Sequence, residues 1–477
     1  MRTEEGPGRS GLAGREGVGM SSLFGTDGVR GRADALLTPE LVVSLARAIA
    51  RTLLPEGGMA LIGRDTRTSG PRIEAALVAG LTSSGVDVRR AGVIPTPAIA
   101  YLVDEEGADL GIVVSASHNP PEDNGIKLFG RRGAKLTEAV EQRIEAAVSL
   151  PSVRWAEVGT VRDVEAATAR YQSFLRRVAE VDRVDLSGMR LVVDCAYGAA
   201  SAVAPQVFRD LGAAVVPLHA THEGERINVG CGATHLEPVS EAVRRQGADL
   251  GIAFDGDGDR VLLVDGKGLV IDGDRMLGIA ASWLAGQGLL SPRAIVATIL
   301  SNQGLELWLA ERDIVMIRTP VGDRNVFHRM VQEGVQIGGE ASGHIIFRQD
   351  APTGDGILTA IKLLGMARNQ GVELTSLARQ IPLFPQCARD IACSHPSVVA
   401  GMDGVQGIVR EVEREIGARG RVVLRASGTQ SVLRIMVEAE DAALCRDRAE
   451  HLAQRLQAFA QLSASSCPVP TEASSQG

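Results

Sequence analysis

A multidomain α/β protein is what this sequence predicts, and three observations predict it. One strand–turn–helix–strand plan recurs three times along the chain. Val, Ile, Leu and Ala dominate, aromatics make up only 3%, and 55 glycines punctuate the segments, the texture of aliphatic cores joined by tight turns. At 477 residues the chain exceeds one ordinary hydrophobic core.

The first unit runs from "MALIGRDTRTSG" through the helical "IEAALVAGLTSSG" to "VDVRRAGVIPTP". The second is "MRLVVDCAYGAA", "VAPQVFRDLG" and "AAVVPLH"; the third is "AIVATILSNQG", "LELWLAERD" and "IVMIRTPVG". Each helix is expected to span roughly fifteen residues. Such units build sheets with parallel strands under helices and bind ligands at the carboxyl ends of the strands. From about Gln386 the pattern changes: a helix "VQGIVREVEREIG", strands "GRVVLRASG" and "SVLRIMVEAE", and the amphipathic "DAALCRDRAEHLAQRLQAFA" predict a small α+β domain. The expected domains are 21–170, 171–268, 269–385 and 386–462. Residues 1–20 read as a disordered tail or as a start placed ahead of Met20, and 463–477 as a low-complexity disordered tail.

Composition excludes several function classes. A net charge of −8 without a long basic block argues against a nucleic-acid binder. The cysteines lie far apart without a C-x-x-C, so their spacing suggests neither a zinc site nor a disulfide framework, and a reducing compartment fits. Without a long apolar run the expectation is a cytoplasmic protein away from membranes.

Six stretches carry chemistry. In "GIAFDGDGDR" the carboxylates of Asp255, Asp257 and Asp259 alternate with glycines behind a buried-strand pattern, so they share one side of an extended chain and call for a hard cation such as Mg²⁺, a solvated acidic turn being the plainer alternative. An EF-hand is excluded, because its sixth and twelfth loop positions fall on Arg260 and Gly266. In "GIVVSASHNPPEDNGIKLFG", Ser117 follows an apolar strand and is flanked by His118 and Asn119, with Lys127 beyond. No G-x-S-x-G elbow is present, and a phosphoryl-carrying serine suits these neighbours, a helix or turn cap being the plainer alternative. "GGEASGHIIF" reads equally as a plain loop or as one offering Glu340, Ser342 and His344 to vicinal hydroxyls, while "RASGTQSVLR" gathers Arg425, Ser427, Gly428, Thr429 and Arg434 as a phosphate cradle. "FGTDGVRG" adds Arg30, and "GRDTRTSG" adds Arg64 and Arg67, which read either as surface arginines or as groups at strand ends.

In order and spacing, "FGTDGVRG", "SASHNP" with "NGIK", "DGDGDR", "GGEASGH" and "RASGTQ" resemble the α-D-phosphohexomutase superfamily over roughly residues 21–462. The resemblance implies four domains around a central cleft, three related α/β domains with mixed sheets and a C-terminal α+β domain. It also implies phosphorylated Ser117 as phosphoryl donor. It further implies one Mg²⁺ per subunit, held by Asp255, Asp257, Asp259 and the phosphoserine. Glu340 and Ser342 match sugar contacts; Arg425, Ser427, Gly428 and Thr429 match the loop gripping the idle phosphate. Arg30, His118, Lys127 and Arg260 match cleft residues near the transferring group, with Lys127 the candidate for proton transfer. "GTDGVRG", "SASHNP" and "INVGCGATH" are most similar to the bacterial amino-sugar branch, implying exchange of glucosamine 6-phosphate and glucosamine 1-phosphate through glucosamine 1,6-bisphosphate. The glucose and mannose branches, a non-catalytic phosphosugar binder and a phosphatase are the alternatives. Gln430 and Ser431 stand where the family usually has Glu and Pro, and Ala341 where this branch commonly has Gln. A monomer or a homodimer acting on a small phosphosugar is the expected assembly.

Overall fold

The computed structural model describes residues 23–25, 27–151, 157–393, 395–427 and 431–466, with side chains as far as 459. Three α/β domains are built on mixed sheets. The first has six strands in the order Val29–Arg32, Asp123–Phe129, Leu110–Val114, Gly58–Arg64, Val86–Val93 and Val161–Asp163, the last four mutually parallel. The second pairs Ala214–Leu218, Arg190–Asp194 and Leu250–Phe254 in parallel, then adds Val261–Val264 antiparallel. The third pairs Val315–Thr319, Ala294–Thr298 and Ile337–Gly339 in parallel and closes with the antiparallel Ile345–Phe347.

One feature common to all three sheets positions the chemistry. Each time, a buried strand parallel to its inner neighbour turns back on itself, and the turn is one of the motif loops: Ser115 to Glu122, Asp255 to Arg260, and Glu340 to His344. The reversals lie at carboxyl ends of strands, where an α/β sheet leaves backbone groups and helix N-termini free for ligands.

The helices of the repeated units span 13, 7 and 8 residues, not the longer ones expected from the sequence. Ala204–Asp210 starts only after a 3₁₀ turn and stops before Gly212, whose φ of 96° suits glycine. The helix Gln303–Ala310 is fixed at its start by Asn302, which accepts from Gly304 N–H. Ala167–Val181 crosses the expected boundary at 170, and its buried Tyr171 donates to Asp355 Oδ2 at 2.6 Å. The C-terminal helix runs to Ser466, beyond the expected end of the fourth domain at 462. The expected tail at 1–20 lies outside the described residues, and the one expected at 463–477 is helical over 463–466 and lies outside them from 467.

The fourth domain is an antiparallel sheet in the order Gln386–Ala392, Val432–Ala439, Gly420–Ala426, under helices. Sequence reading missed Gln386–Ala392, an edge strand mostly exposed and without apolar alternation. One core of Leu61, Phe129, Leu191, Phe254, Ile295, Ile361 and their neighbours runs through the first three domains, whereas the fourth keeps its own around Val405, Leu433 and Leu452. Polar contacts cross the seam to it: Arg421, paired inside the fourth domain with Glu438 at 2.6 Å, donates to Ile299 O at 2.8 Å, and Gln303 N–H donates to Glu438 at 2.8 Å. A separate core with a polar seam lets a domain move as a body. Among the described residues no helix is long and apolar enough to cross a membrane.

At the third-domain end of that seam, Asp274 is buried and accepts from Asn302 N–H at 2.9 Å. Burial, with Asp272 nearby, pushes its carboxyl from an ordinary 3.8 up to about 7. The folded chain therefore holds a proton that the unfolded chain has lost, and stability falls as pH rises from about 4 to about 7 before levelling. Asp274→Asn is expected to flatten that slope and to raise the unfolding midpoint at pH about 8, as read from thermal unfolding over a pH series.

Candidate active site

The serine loop is held by a buried ion pair beneath it. Arg67 and Asp65 are both fully buried, with Arg67 Nε donating to Asp65 Oδ2 at 2.9 Å. Arg67 Nη2 donates to the carbonyls of Ser117 (3.0 Å) and Asn119 (2.7 Å), and Nη1 to those of Asp123 (2.8 Å) and Pro120. Ser115 Oγ donates to Asp65 Oδ2 at 2.7 Å and accepts from Ser117 N–H at 2.9 Å. From the second domain, Asn228 Nδ2 donates to the Ser117 and Asn119 carbonyls at 2.9 and 3.0 Å. Ser117 is thereby kept at a φ of 53°, a left-handed conformation that a non-glycine residue holds only when its surroundings impose it. Its Oγ lies 2.6 Å from Asp255 Oδ2, to which it donates, and 3.2 Å from His118 Nδ1.

Carboxylate oxygens of Asp255, Asp257 and Asp259 lie within 4.8 Å of one another, and all three residues are buried. Gly256 permits this approach, because a Cβ there would sit 2.7 Å from the Ser117 carbonyl. Burial, then Asp259 and Asp257, drive Asp255 well above the usual carboxylate range. Against burial, Lys127 holds Asp259 well below it. The Lys127 ammonium stands 2.7 Å from Asp257, 3.0 Å from Asp259 and 3.2 Å from Asp27. Against its own burial these three carboxylates hold it well above the ordinary lysine value. The arrangement sets Lys127 as a counter-charge among these carboxylates, next to the centre where the sequence places it.

The donor set fits a hard divalent cation. Asp257 Oδ1 and Asp259 Oδ1 are buried and accept no hydrogen bond from the described residues. Buried carboxylate oxygens without donors are costly unless a cation meets them, and an all-oxygen set with the adjacent seryl oxygen suits Mg²⁺.

Cations and neutral donors surround this centre. Arg30 pairs with Asp27 and donates to the Ala116 carbonyl at 3.4 Å. Arg260 Nε lies 3.9 Å from Asp259 Oδ1, and Arg260 N–H donates to Asp255 Oδ1 at 3.1 Å. Burial, with Arg260 and Arg30 close by, pushes His118 down to about 4, so its imidazole is neutral at neutral pH.

In the third-domain loop Glu340 is buried and accepts from Gly322 N–H at 3.0 Å, while Ser342 is exposed. His344, expected to face sugar hydroxyls, is only 2% exposed. Its Nε2 accepts from Gly354 N–H at 3.0 Å, which places the ring proton on Nδ1, 3.7 Å from Asp259 Oδ1. Both ring nitrogens are thus turned inward, and His344 braces the third domain against the aspartate loop.

In the fourth domain Arg425 and Arg434 stand directly opposite on paired strands, with Arg434 Nε 3.5 Å from Asp390 Oδ2. Ser427 N–H closes the hairpin on Val432 O at 3.0 Å. Like charges set opposite on a sheet repel, and an anion between them relieves the repulsion. Gly428 and Thr429 lie outside the described residues.

Sequence reading missed several residues of this centre. Arg67, which the sequence leaves open as a surface or strand-end group, is fully buried, as is Asp65 beside it in "GRDTRTSG", a residue that carries no motif signal. Asp27 stood inside the quoted "FGTDGVRG", and Asn228 inside "INVGCGATH". Thr96, which donates to Asp257 Oδ2, lies in "VIPTP" and carries no motif signal.

Known proteins share this architecture. Residues 21–151, 169–268, 272–384 and 391–455 match, in that order, the phosphoglucomutase/phosphomannomutase alpha/beta/alpha domains I, II and III and the C-terminal domain. A phosphoglucosamine mutase of Desulforamulus reducens is 44% identical over 91% of this chain and 99% of its own. That of Saccharopolyspora erythraea is 46% identical over 92% and 100%. Among solved structures, a phosphoglucomutase/phosphomannomutase family protein from Burkholderia thailandensis superposes with a TM-score of 0.77 at 24% identity, covering 93% of this chain and 98% of that one. The N-acetylphosphoglucosamine mutase of Aspergillus fumigatus, solved with GlcNAc-6P and magnesium, does so at 0.65 and 18%, covering 92% and 96%. These two establish the shared fold. With all four domains matched in order and relatives of one name at 44% and 46% identity over more than 90% of its length, the chain belongs to the phosphoglucosamine mutases of the α-D-phosphohexomutase superfamily.

Proposed function

We propose that this enzyme interconverts glucosamine 6-phosphate and glucosamine 1-phosphate, an isomerisation that supplies UDP-N-acetylglucosamine synthesis. The observation that carries the reading is Ser117 Oγ, held by a buried scaffold 2.6 Å from the first of three converging aspartates. Ser117 carries a phosphoryl group and passes it to the free hydroxyl of the sugar phosphate, giving glucosamine 1,6-bisphosphate. The bisphosphate turns over in the cleft and returns its other phosphate to Ser117. Nothing is hydrolysed.

Phosphoryl transfer needs positioning and charge stabilisation more than covalent help. Arg260, Arg30 and neutral His118 surround Ser117 and present donors to the oxygens of the moving group. Lys127 offsets the acidity of the centre. Mg²⁺, held by Asp255, Asp257, Asp259 and a phosphoserine oxygen, would neutralise charge on the transferring phosphoryl group. Glu340 and Ser342 hold sugar hydroxyls, and Arg425, Ser427, Gly428, Thr429 and Arg434 hold the idle phosphate. The polar seam of the fourth domain accommodates the turn of the bisphosphate.

Phosphorus NMR tests this reading, with Mg²⁺, a trace of sugar 1,6-bisphosphate, and glucosamine, glucose or mannose 6-phosphate in parallel. Predominant conversion of the glucosamine ester is expected, with a drop of about 10³-fold on chelation that Mg²⁺ restores. Faster turnover of glucose or mannose phosphate would assign the substrate to those branches. Release of inorganic phosphate as the main product would make it a phosphatase, and binding without turnover a phosphosugar sensor.

A further inference from the structure

A second cluster of mixed donors lies in the second domain, apart from the aspartate loop. Asp194 ends the strand Arg190–Asp194, His219 follows the neighbouring strand Ala214–Leu218, and Cys231 opens the 3₁₀ turn Gly232–Thr234. One donor atom from each, a carboxylate oxygen, an imidazole nitrogen and the thiol sulfur, lies within 4.8 Å of the others. Asp194 and Cys231 are completely buried, and His219 is 23% exposed, which leaves a path from solvent.

The environment is poorly matched to these groups alone. Asp194 accepts from Ala196 N–H at 2.9 Å and Gly232 N–H at 3.0 Å, and its ion-pairing neighbour among the described residues is His219, with no lysine or arginine. His219 Nδ1 is buried and makes no hydrogen bond with the described residues, although Asp194 Oδ2 is 3.0 Å away. A buried carboxylate without a full cationic partner and a ring nitrogen without a hydrogen bond are both costly. The ring is nevertheless held in place: Tyr197 lies 4.9 Å from it and donates its backbone N–H to the His219 carbonyl at 2.7 Å.

We infer that Asp194, His219 and Cys231 form a second metal site, selective for a borderline-soft divalent cation of the Zn²⁺ class. Oxygen, nitrogen and sulfur donors together suit Zn²⁺ and disfavour Mg²⁺, and three protein ligands leave a fourth position for water. On coordination a sulfur–metal bond replaces the S–H bond, and the thiol proton leaves to solvent. The ion would pin the loop that carries Asn228, whose side chain supports the carbonyls of Ser117 and Asn119. The site is independent of which sugar phosphate the enzyme takes.

Co²⁺ is the probe, added to the reduced, metal-stripped full-length protein. One equivalent is expected to produce thiolate-to-cobalt absorption in the near ultraviolet, which the all-oxygen aspartate centre cannot give. Stoichiometric Zn²⁺ should abolish the band and excess Mg²⁺ should leave it. Cys231→Ser should remove it, His219→Asn should weaken Co²⁺ binding at least about 10-fold, and Asp257→Asn should leave it unchanged. Absence of the band in the unaltered protein, or its survival in Cys231→Ser, would overturn the assignment. Circular dichroism confirms that each variant is folded; should Cys231→Ser fail to fold, undiminished affinity in His219→Asn and Asp194→Asn would overturn it equally.

Discussion

Replacing Ser117 by alanine is expected to lower turnover by about 10⁴-fold or more, the scale seen when a covalent carrier is removed from a site that acts as a unit. The fold should survive. Ser117 is not part of the aliphatic core, and its loop is held through main-chain carbonyls that Arg67 and Asn228 would still reach. What alanine removes is the Oγ donor to Asp255, a loss of about 1–2 kcal/mol. A phosphorus assay beside a thermal melt separates the two effects. A variant retaining a tenth of the activity would rule out Ser117 as the phosphoryl carrier, whereas lost activity with a large drop in melting point would make the serine structural.

The second large effect is expected at Arg67, which no sugar needs to touch. Arg67→Met keeps length and apolar volume but strands Asp65 in the interior and strips donors from four loop carbonyls. Breaking a buried pair from one side typically costs about 3–5 kcal/mol. Turnover should fall as well, since the loop that aims Ser117 loses its anchor. Lysine should recover only part of the loss, because a point charge cannot serve carbonyls on both arms of a guanidinium fork. Denaturant unfolding of Arg67→Met, Asp65→Asn and the double variant measures the coupling, which should exceed about 1 kcal/mol. A cost below about 1 kcal/mol for Arg67→Met would show that the scaffold lies elsewhere.

Much of the fold was legible because its signals are local. Apolar runs such as "LGIVV" and "LGIAF", each ending in a polar turn, mark buried strands whose carboxyl ends carry chemistry, and both are fully buried strands. The edge strand Gln386–Ala392 was not legible, since its exposed residues carry no alternation. Helix lengths were overestimated because hydrophobic periodicity does not register a 3₁₀ start or a glycine stop.

The candidate site divides in the same way. Spacing alone brought Asp255, Asp257 and Asp259 together, and the quoted motifs held Ser117, His118, Lys127 and Arg260, because neighbours in sequence on one strand or loop are neighbours in space. Tertiary structure alone decided what each group meets. Lys127 became the ammonium between three carboxylates, His344 an internal brace and Arg67 a buried anchor, while Asp194, His219 and Cys231 converged from three separate segments without any spacing signal. Residue type and local spacing announce which chemistry is available; burial and the approach of distant chain segments set charge, partners and role, and these arise only when separate sheets pack against one another.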